Sequence, residues 1–480
     1  MVLKFGGVSV SSLINWRNIL KLIQMHVSQG SRPFVVCSAV AGVTDQLTEI
    51  CRLIETGSKI DNALNQFRDT HLNLTRQLNI DISEEVEKRV GLLKQLAEQA
   101  AISGVTPQIK AQILAQGELL STSIGTIWLT QNGLKTQRLD AREMLVSSGN
   151  AQGPQAWLSA KCDHSPDSAL QSRLHNIEAT VFLTQGFIAR NQDGETVLLG
   201  RGGSDTSAAC FARKLSANRL EIWTHVPGMF TMDPTKSEDA LLIDCLDYFQ
   251  AETMASLGAK VLHPRSLEPA RMASIPIFVK STSKPHLPGT EIKMDGASEL
   301  RIKAVTGCSG VYVFTLTASE QPLDELMRRR SLEVFKSRGL RVETIFASED
   351  EISLIVNPAI TPLQLGETTL IVQELDAFAD VEVELDRSLV CLIGSQSDDL
   401  PKIEHAWADL NQKRIYAGPH GISAVFPSDP VKVDAMVEQL HAMFMTCECS
   451  VNRLGMTWSN LKQILKEPTD ETHTQEVISA

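Results

Sequence analysis

The stretch Leu199-Gly200-Arg201-Gly202-Gly203-Ser204-Asp205-Thr206-Ser207 lies between the apolar run 181–189 and the apolar-rich stretch 208–215. Glycine allows positive φ and lets amide N–H groups come close to a ligand, and a helix starting at the loop adds the positive end of its dipole. Strand, glycine loop and helix in that order form an anion cradle, the arrangement by which chains hold phosphate. A plain tight turn closed by an Arg201–Asp205 salt bridge would use the same residues. A second such loop favours the cradle. Residues 1–5 read as a short apolar strand ending in Gly6-Gly7, and Ser11-Ser12 can cap a helix that carries Leu13, Trp16, Ile19, Leu20 and Ile23 on one face. Lys4 falls at the C-terminal end of that strand, where open α/β sheets place their ligands.

Residues 33–40 are almost purely apolar, as expected of a strand buried on both faces, and run through Ala41-Gly42-Val43-Thr44-Asp45 into another helix. Residues 57–104 read as a polar helical excursion. Thr106-Pro107 then opens one long helix that ends at Asn132-Gly133, with Gly117-Glu118 in its middle. A mid-helix glycine costs about 1 kcal/mol against alanine, so a close approach is expected there. Further strands are read at 135–139, 181–189, 220–223 and 275–280, which makes the first 285 residues an α/β domain. The stretch 281–290, with two prolines and a glycine, is the best boundary in the chain.

Beyond it the units shorten. Strands at 311–316, 342–347, 352–356 and 381–385, with helices at 323–338 and 363–375, give one βαββαβ unit over 308–386. A second begins at 389–393 and runs to 455 without a sixth strand. A spare strand at 302–305 supplies it, so the first unit is read as inserted in a second made of 299–307 plus 387–455. The tail 466–480 is polar and read as a flexible tail or linker.

The 480 residues carry a net charge of −12, which argues against a nucleic-acid partner, since phosphate backbones call for a basic face. No apolar run reaches the ~18 residues of a membrane span, and no secretory leader is visible, so the expected location is the cytoplasm. Nine scattered cysteines show neither zinc spacing nor a disulfide framework, and reduced thiols are expected.

Lys4-Phe5-Gly6-Gly7, Ser38-Ala39 through Gly42-Val43-Thr44, Gly117-Glu118-Leu119, Gly186-Phe187, Gly200 to Asp205, Ile222-Trp223-Thr224 with Val226-Pro227-Gly228, and Gly258-Ala259-Lys260-Val261-Leu262-His263-Pro264 occur in that order. Together they resemble the aspartate kinases. The resemblance covers nearly the whole chain and implies a three-layer αβα amino acid kinase fold followed by two ferredoxin-like ACT domains. The chemistry agrees independently. Phosphoryl transfer needs positioning and spread positive charge more than covalent help. Lys4 and Lys260 can cover the transferred group, with N–H donors from Gly6, Gly7, Gly202 and Gly203. Asp205 suits the orientation of Lys4, Arg201 suits bidentate capture of a substrate carboxylate, and Glu118 suits its ammonium.

By resemblance, Thr44, Phe187, Gly202 and Ser204 line the aspartate site, and Gly203, Thr224, His225, Phe230 and Lys260 the nucleotide site. The implied partners are L-aspartate and ATP, with Mg²⁺ held mainly by ATP and no protein metal site. An amino-acid effector such as lysine would bind the ACT domains near Glu343, Ile345 and Ser348. A homodimer or higher homo-oligomer is implied, because such units cover open sheet edges. The chain departs from the family pattern at Val8 and Thr235, where threonine and arginine are usual, and at His225 and Phe230, where aspartate and tyrosine are usual. These departures motivate a second reading, a catalytically weak amino-acid sensor. Another amino acid kinase, and the kinase unit of a bifunctional fusion, are the neighbouring readings.

Overall fold

The computed structural model describes residues 1–149, 153–257, 261–294, 302–317, 325–338, 340–342, 344–347, 351–360, 363, 365–395, 397–408, 414–418, 421–445 and 455–466. The chain divides into two compact units, Met1–Gly228 with Arg265–Met294, and Met229–Pro264 with Asp295–Glu467. The boundary differs from one drawn at 285, because residues 229–264 pack with the C-terminal half.

The first unit contains β1 (Val2–Phe5), β2 (Phe34–Cys37), β3 (Thr136–Leu139), β4 (Val181–Gln185), β5 (Ile188–Arg190), β6 (Thr196–Leu198), β7 (Leu220–Thr224), β8 (Ile277–Ser281) and β9 (Thr290–Lys293). Its main sheet runs β3-β4-β2-β1-β7-β8-β9. Every pairing is parallel from β3 to β8, and only β9 is antiparallel. β1, β2 and β4 are buried at every position, as an apolar parallel strand with helices on both faces must be.

The helices are α1 (Leu13–Ser28), α2 (Val43–Glu55), α3 (Asp61–Leu78), α4 (Ser83–Ser103), α5 (Pro107–Leu114), α6 (Gln116–Gln131), α7 (Pro154–Leu158), α8 (Ser168–Asn176) and α9 (Gly203–Lys214). Strand parity assigns the layers. Phe34 and Phe182 meet on one face, where Phe34 also packs 4.9 Å from Phe211 of α9. Gln185, of the other parity, hydrogen-bonds Thr122 of α6 at 2.8 Å. Helices therefore cover both faces, as expected of an αβα arrangement.

Two single elements of the sequence reading are divided. The helix from 107 to 132 is jointed at Ala115 into α5 and α6, two residues before Gly117; a Cβ on Gly117 would stand 2.8 Å from Ala39 Cβ. The run 181–189 is broken by Phe187, whose φ of +66° turns the chain out of β4 into β5, and β5 pairs with β6 in a separate ribbon.

The second unit contains α10 (Tyr248–Ser256), β10 (Ala304–Thr317), α11 (Glu325–Ser337), β11 (Thr344–Ala347), β12 (Glu351–Val356), α12 (Leu365–Leu375), β13 (Asp380–Ile393), α13 (Leu400–Ala406), β14 (Arg414–Gly418), β15 (Gly421–Pro427), α14 (Pro430–Met445) and α15 (Trp458–Lys466). Its sheet order is β11-β12-β10-β13-β15-β14. The strands read separately at 302–305 and 311–316 are one 14-residue strand, β10, and those at 381–385 and 389–393 are likewise one, β13. They pair with each other from Ala304↔Ile393 to Thr317↔Asp380. A register irregularity beside Gly310, at φ +80°, absorbs the junction without a turn. The far half of β10, β11, β12 and the near half of β13 form one βαββαβ unit over a core of Phe314, Phe335, Leu354 and Ile371. The near half of β10 supplies the fourth strand of the other.

Candidate active site

β1 delivers Lys4 to the sheet's C-terminal edge, beside Val36 of β2 and Ile222 of β7. Its side chain is 9% exposed, and its Nζ lies 2.6 Å from Oδ1 of Asp205, itself 13% exposed. Asp205 reaches it from the first turn of α9, which Gly202 begins with φ +64°. The Arg201–Asp205 turn bridge is therefore not formed. Arg201 is exposed at the tip of a turn closed by Gly203 N–H donating to Gly200 O at 2.9 Å.

The two glycine corners are packed to contact. A Cβ on Gly203 would come within 2.6 Å of the Phe187 ring, and one on Gly186 within 2.6 Å of Ser204 Cβ. The strained φ of Phe187 is held on both sides: its N–H donates to Ser207 Oγ at 2.9 Å and its carbonyl accepts from Leu199 N–H at 2.8 Å. Non-glycine residues in this conformation cost about 1–3 kcal/mol and concentrate at binding sites. On the other side, a Cβ on Gly7 would stand 2.9 Å from Ala39 O, so the first glycine loop lies on the turn after β2.

That same turn receives α6. Ser121 Oγ–H donates to Ser38 O at 2.8 Å, and Glu118 accepts from the Ala39 N–H. Glu118 is 3% exposed, and its Oε2 has no hydrogen-bond partner. Burial pushes its carboxyl up to about 8, against the opposing hydrogen bonds from Ala39 and its own backbone. An orphaned buried carboxyl oxygen calls for a donor from outside the fold. Thr44 is half-buried in the first turn of α2.

On the nucleotide side of the sequence reading, Thr224 ends β7 and its Oγ1 is 3.3 Å from Nδ1 of the exposed His225. Val8 is 49% exposed. Beside it, Ser9 Oγ meets Thr282 Oγ1 at 2.7 Å, a hydroxyl pair that no motif announced. Phe230 belongs to the second unit, where it is buried edge-on against Trp458 at 5.4 Å. Thr235 is there too, bonded to Asp233. Lys260, Glu343 and Ser348 lie outside the described residues, and Ile345 is half-buried on β11. Sequence reasoning also missed Glu221, buried between Arg219 at 2.7 Å and Trp223 Nε1–H at 3.0 Å. A carboxylate inside the apolar strand Leu-Glu-Ile-Trp was the signal.

A lysine locked by a carboxylate at the strand ends, two glycine loops and a buried carboxyl with a free oxygen define a phosphotransferase for a small charged acceptor. Residues 1–281 match the family model described as the amino acid kinase family. The chain is 30% identical over 400 residues to lysine-sensitive aspartokinase 3 of Escherichia coli, an alignment covering 82% of this chain and 87% of that one. It is 28% identical to a bifunctional aspartokinase/homoserine dehydrogenase of Haemophilus influenzae over 82% of this chain, spanning about half (49%) of that protein's length. The crystal structure of E. coli aspartokinase III with aspartate and ADP superposes with a TM-score of 0.77 at 28% identity, covering 92% of this chain and 98% of that one. The chain belongs to the amino acid kinase family, in its aspartokinase branch.

Proposed function

We propose that the protein transfers the γ-phosphoryl group of ATP to the side-chain carboxylate of L-aspartate, giving 4-phospho-L-aspartate on the route to lysine, threonine and methionine. The observation that carries this reading is the Lys4–Asp205 pair at the strand ends between two glycine loops. The acceptor is a carboxylate with a reference pKa near 4, already ionised at neutral pH, so no general base is required. Asp205 instead holds Lys4 where charge develops on the transferred group. Arg201, exposed on its turn, takes the α-carboxylate, and Glu118 offers its unpartnered oxygen to the α-ammonium, which draws the carboxyl to its ionised form. The N–H groups of Gly6 and Gly203 are engaged by Trp223 O and Gly200 O and hold the two turns, so the phosphate oxygens are assigned to the N–H groups of Gly7 and Gly202.

Thr224, His225 and Lys260 are assigned to the nucleotide by the resemblance, whereas Phe230, buried against Trp458 in the second unit, is withdrawn from that set. Magnesium is assigned as a companion of the nucleotide phosphates, as is usual for this ion. The similarity to a lysine-sensitive relative supports lysine as effector of the C-terminal units. A homo-oligomer joined through those units, and a cytoplasmic location, complete the reading. No helix among the described residues is long and apolar enough to cross a membrane.

Incubation of the purified chain with ATP, Mg²⁺ and aspartate, trapping the acyl phosphate with hydroxylamine, tests this directly. Hydroxamate is expected with aspartate and not with glutamate. No hydroxamate at saturating ATP would instead favour the amino-acid sensor, and product from glutamate the neighbouring kinase. His225→Asp is expected to tighten ATP binding severalfold, by about 1 kcal/mol, with the KM for aspartate unmoved. Calorimetric titration that finds no tightening would mean that His225 is compensated by its surroundings.

A further inference from the structure

Arg265 belongs to none of the motifs above, yet it grips the base of the glycine turn. Its Nη1 donates to Ser159 Oγ at 2.7 Å and to Leu199 O at 3.2 Å, and its Nη2 to Ala160 O at 3.0 Å and Ser159 O at 3.4 Å. Ala160 is in turn bound to β6 through its N–H and Leu198 O at 2.8 Å. The guanidinium thus joins the segment at Ser159-Ala160 to the residue that precedes the turn. Its acceptor Leu199 is the last residue before the turn. Gly200 follows with φ +75°, where a Cβ would stand 2.7 Å from Ser159 Oγ and 3.4 Å from Arg265 Nη1, and Arg201 comes next.

The geometry points to Arg265 as the positioning residue that sets the direction of the Gly200–Gly203 turn, and through it the place of Arg201 and the affinity for the acidic acceptor. Arg201 is exposed and has no ion-pair partner among the described residues, so nothing in its own contacts fixes it. Its aim is inherited from the turn beneath it. That turn hangs from Leu199, held by Phe187 O on its N–H and by Arg265 on its carbonyl. Nη1 bridges the two segments while Nη2 fixes the plane of the group on Ser159 O and Ala160 O; a shorter-armed point ammonium cannot hold all four acceptors in that geometry. Sequence inspection passes over such a residue because its partners are mostly backbone carbonyls, which carry no motif.

The inference rests on the proposed role of Arg201 in holding the aspartate α-carboxylate. Full-length Arg265→Lys and Ser159→Ala variants are compared with the wild type, varying aspartate and ATP separately and following the thermal midpoint. Arg265→Lys is expected to raise the KM for aspartate about tenfold and Ser159→Ala about threefold, with the KM for ATP within about twofold of wild type. Two results overturn the assignment. One is an unchanged KM for aspartate in both variants. The other is a joint rise of both KM values with a lowered midpoint, the mark of a purely structural arginine. A wild-type chain that fails to phosphorylate aspartate refutes the functional reading and the inference with it, and is recognised before any variant is compared.

Discussion

Lys4→Met is expected to lower turnover by about a hundredfold or more, equivalent to losing about 3 kcal/mol of stabilisation of the charge that develops during transfer. Methionine keeps the length and apolar stem of lysine, so the packing of β1 changes little. The variant leaves Asp205 largely buried without its ammonium, which costs stability as well. The two effects separate in the double variant Lys4→Met with Asp205→Asn. Thermal stability is expected to recover there, while turnover stays low. If Lys4→Met alone turned over at the wild-type rate, Lys4 would have no part in the chemistry.

Glu118→Gln is expected to raise the KM for aspartate by roughly tenfold to a hundredfold, the range for losing one hydrogen bond to a charged group, with a smaller effect on ATP. The same substitution should stabilise the unliganded protein at alkaline pH. The folded-state pKa of Glu118, about 8, lies above the unfolded value near 4.5, so the folded chain holds the proton more tightly. The wild type therefore bears no penalty below about pH 4.5, loses stability as pH rises from there toward 8, and stays at the reduced level above. Glutamine has no such term. Melting curves should show the variant a few degrees above wild type at pH 8, with the gap closing near pH 5, and aspartate should raise the wild-type midpoint more than the variant's. A constant gap across that range would mean that Glu118 is not the group responsible.

Much of the candidate site's backbone layout was legible because it is written in local patterns. Lys4 stands at the end of an apolar strand, Gly6-Gly7 and Gly200–Gly203 announce loops, and Gly117 marks a close approach that the structure places on Ala39. What escaped reading depends on partners distant in the chain. Gly307, Gly310 and the pair Asp386-Arg387 look like strand ends, yet β10 and β13 continue through them, because each strand finds the other as its partner along its whole length. Conversely, the apolar run 181–189 offers no breaker before Gly186, and only the hold of Ser207 and Leu199 on Phe187 divides it. Arg265 was invisible because it binds backbone. Glu221 passed without notice inside the strand read at 220–223, although its neighbours bury it beside Arg219.

The long strands β10 and β13 also order events as the chain emerges during synthesis. Ala304 must wait for Ile393, almost ninety residues later, and the far half of β13 in turn pairs with β15, Cys391 with Ser423 and Val390 with Ala424. Pairing that spans such separations is slow to form and exposes open strand edges meanwhile. The two βαββαβ units thus have no stage at which one is finished and the other not begun. A chain cut within 387–393 would strip the near half of β10 of its partner, and one cut between 394 and 420 would leave the far half of β13 without β15; either should leave an aggregating fragment rather than a shortened regulatory module.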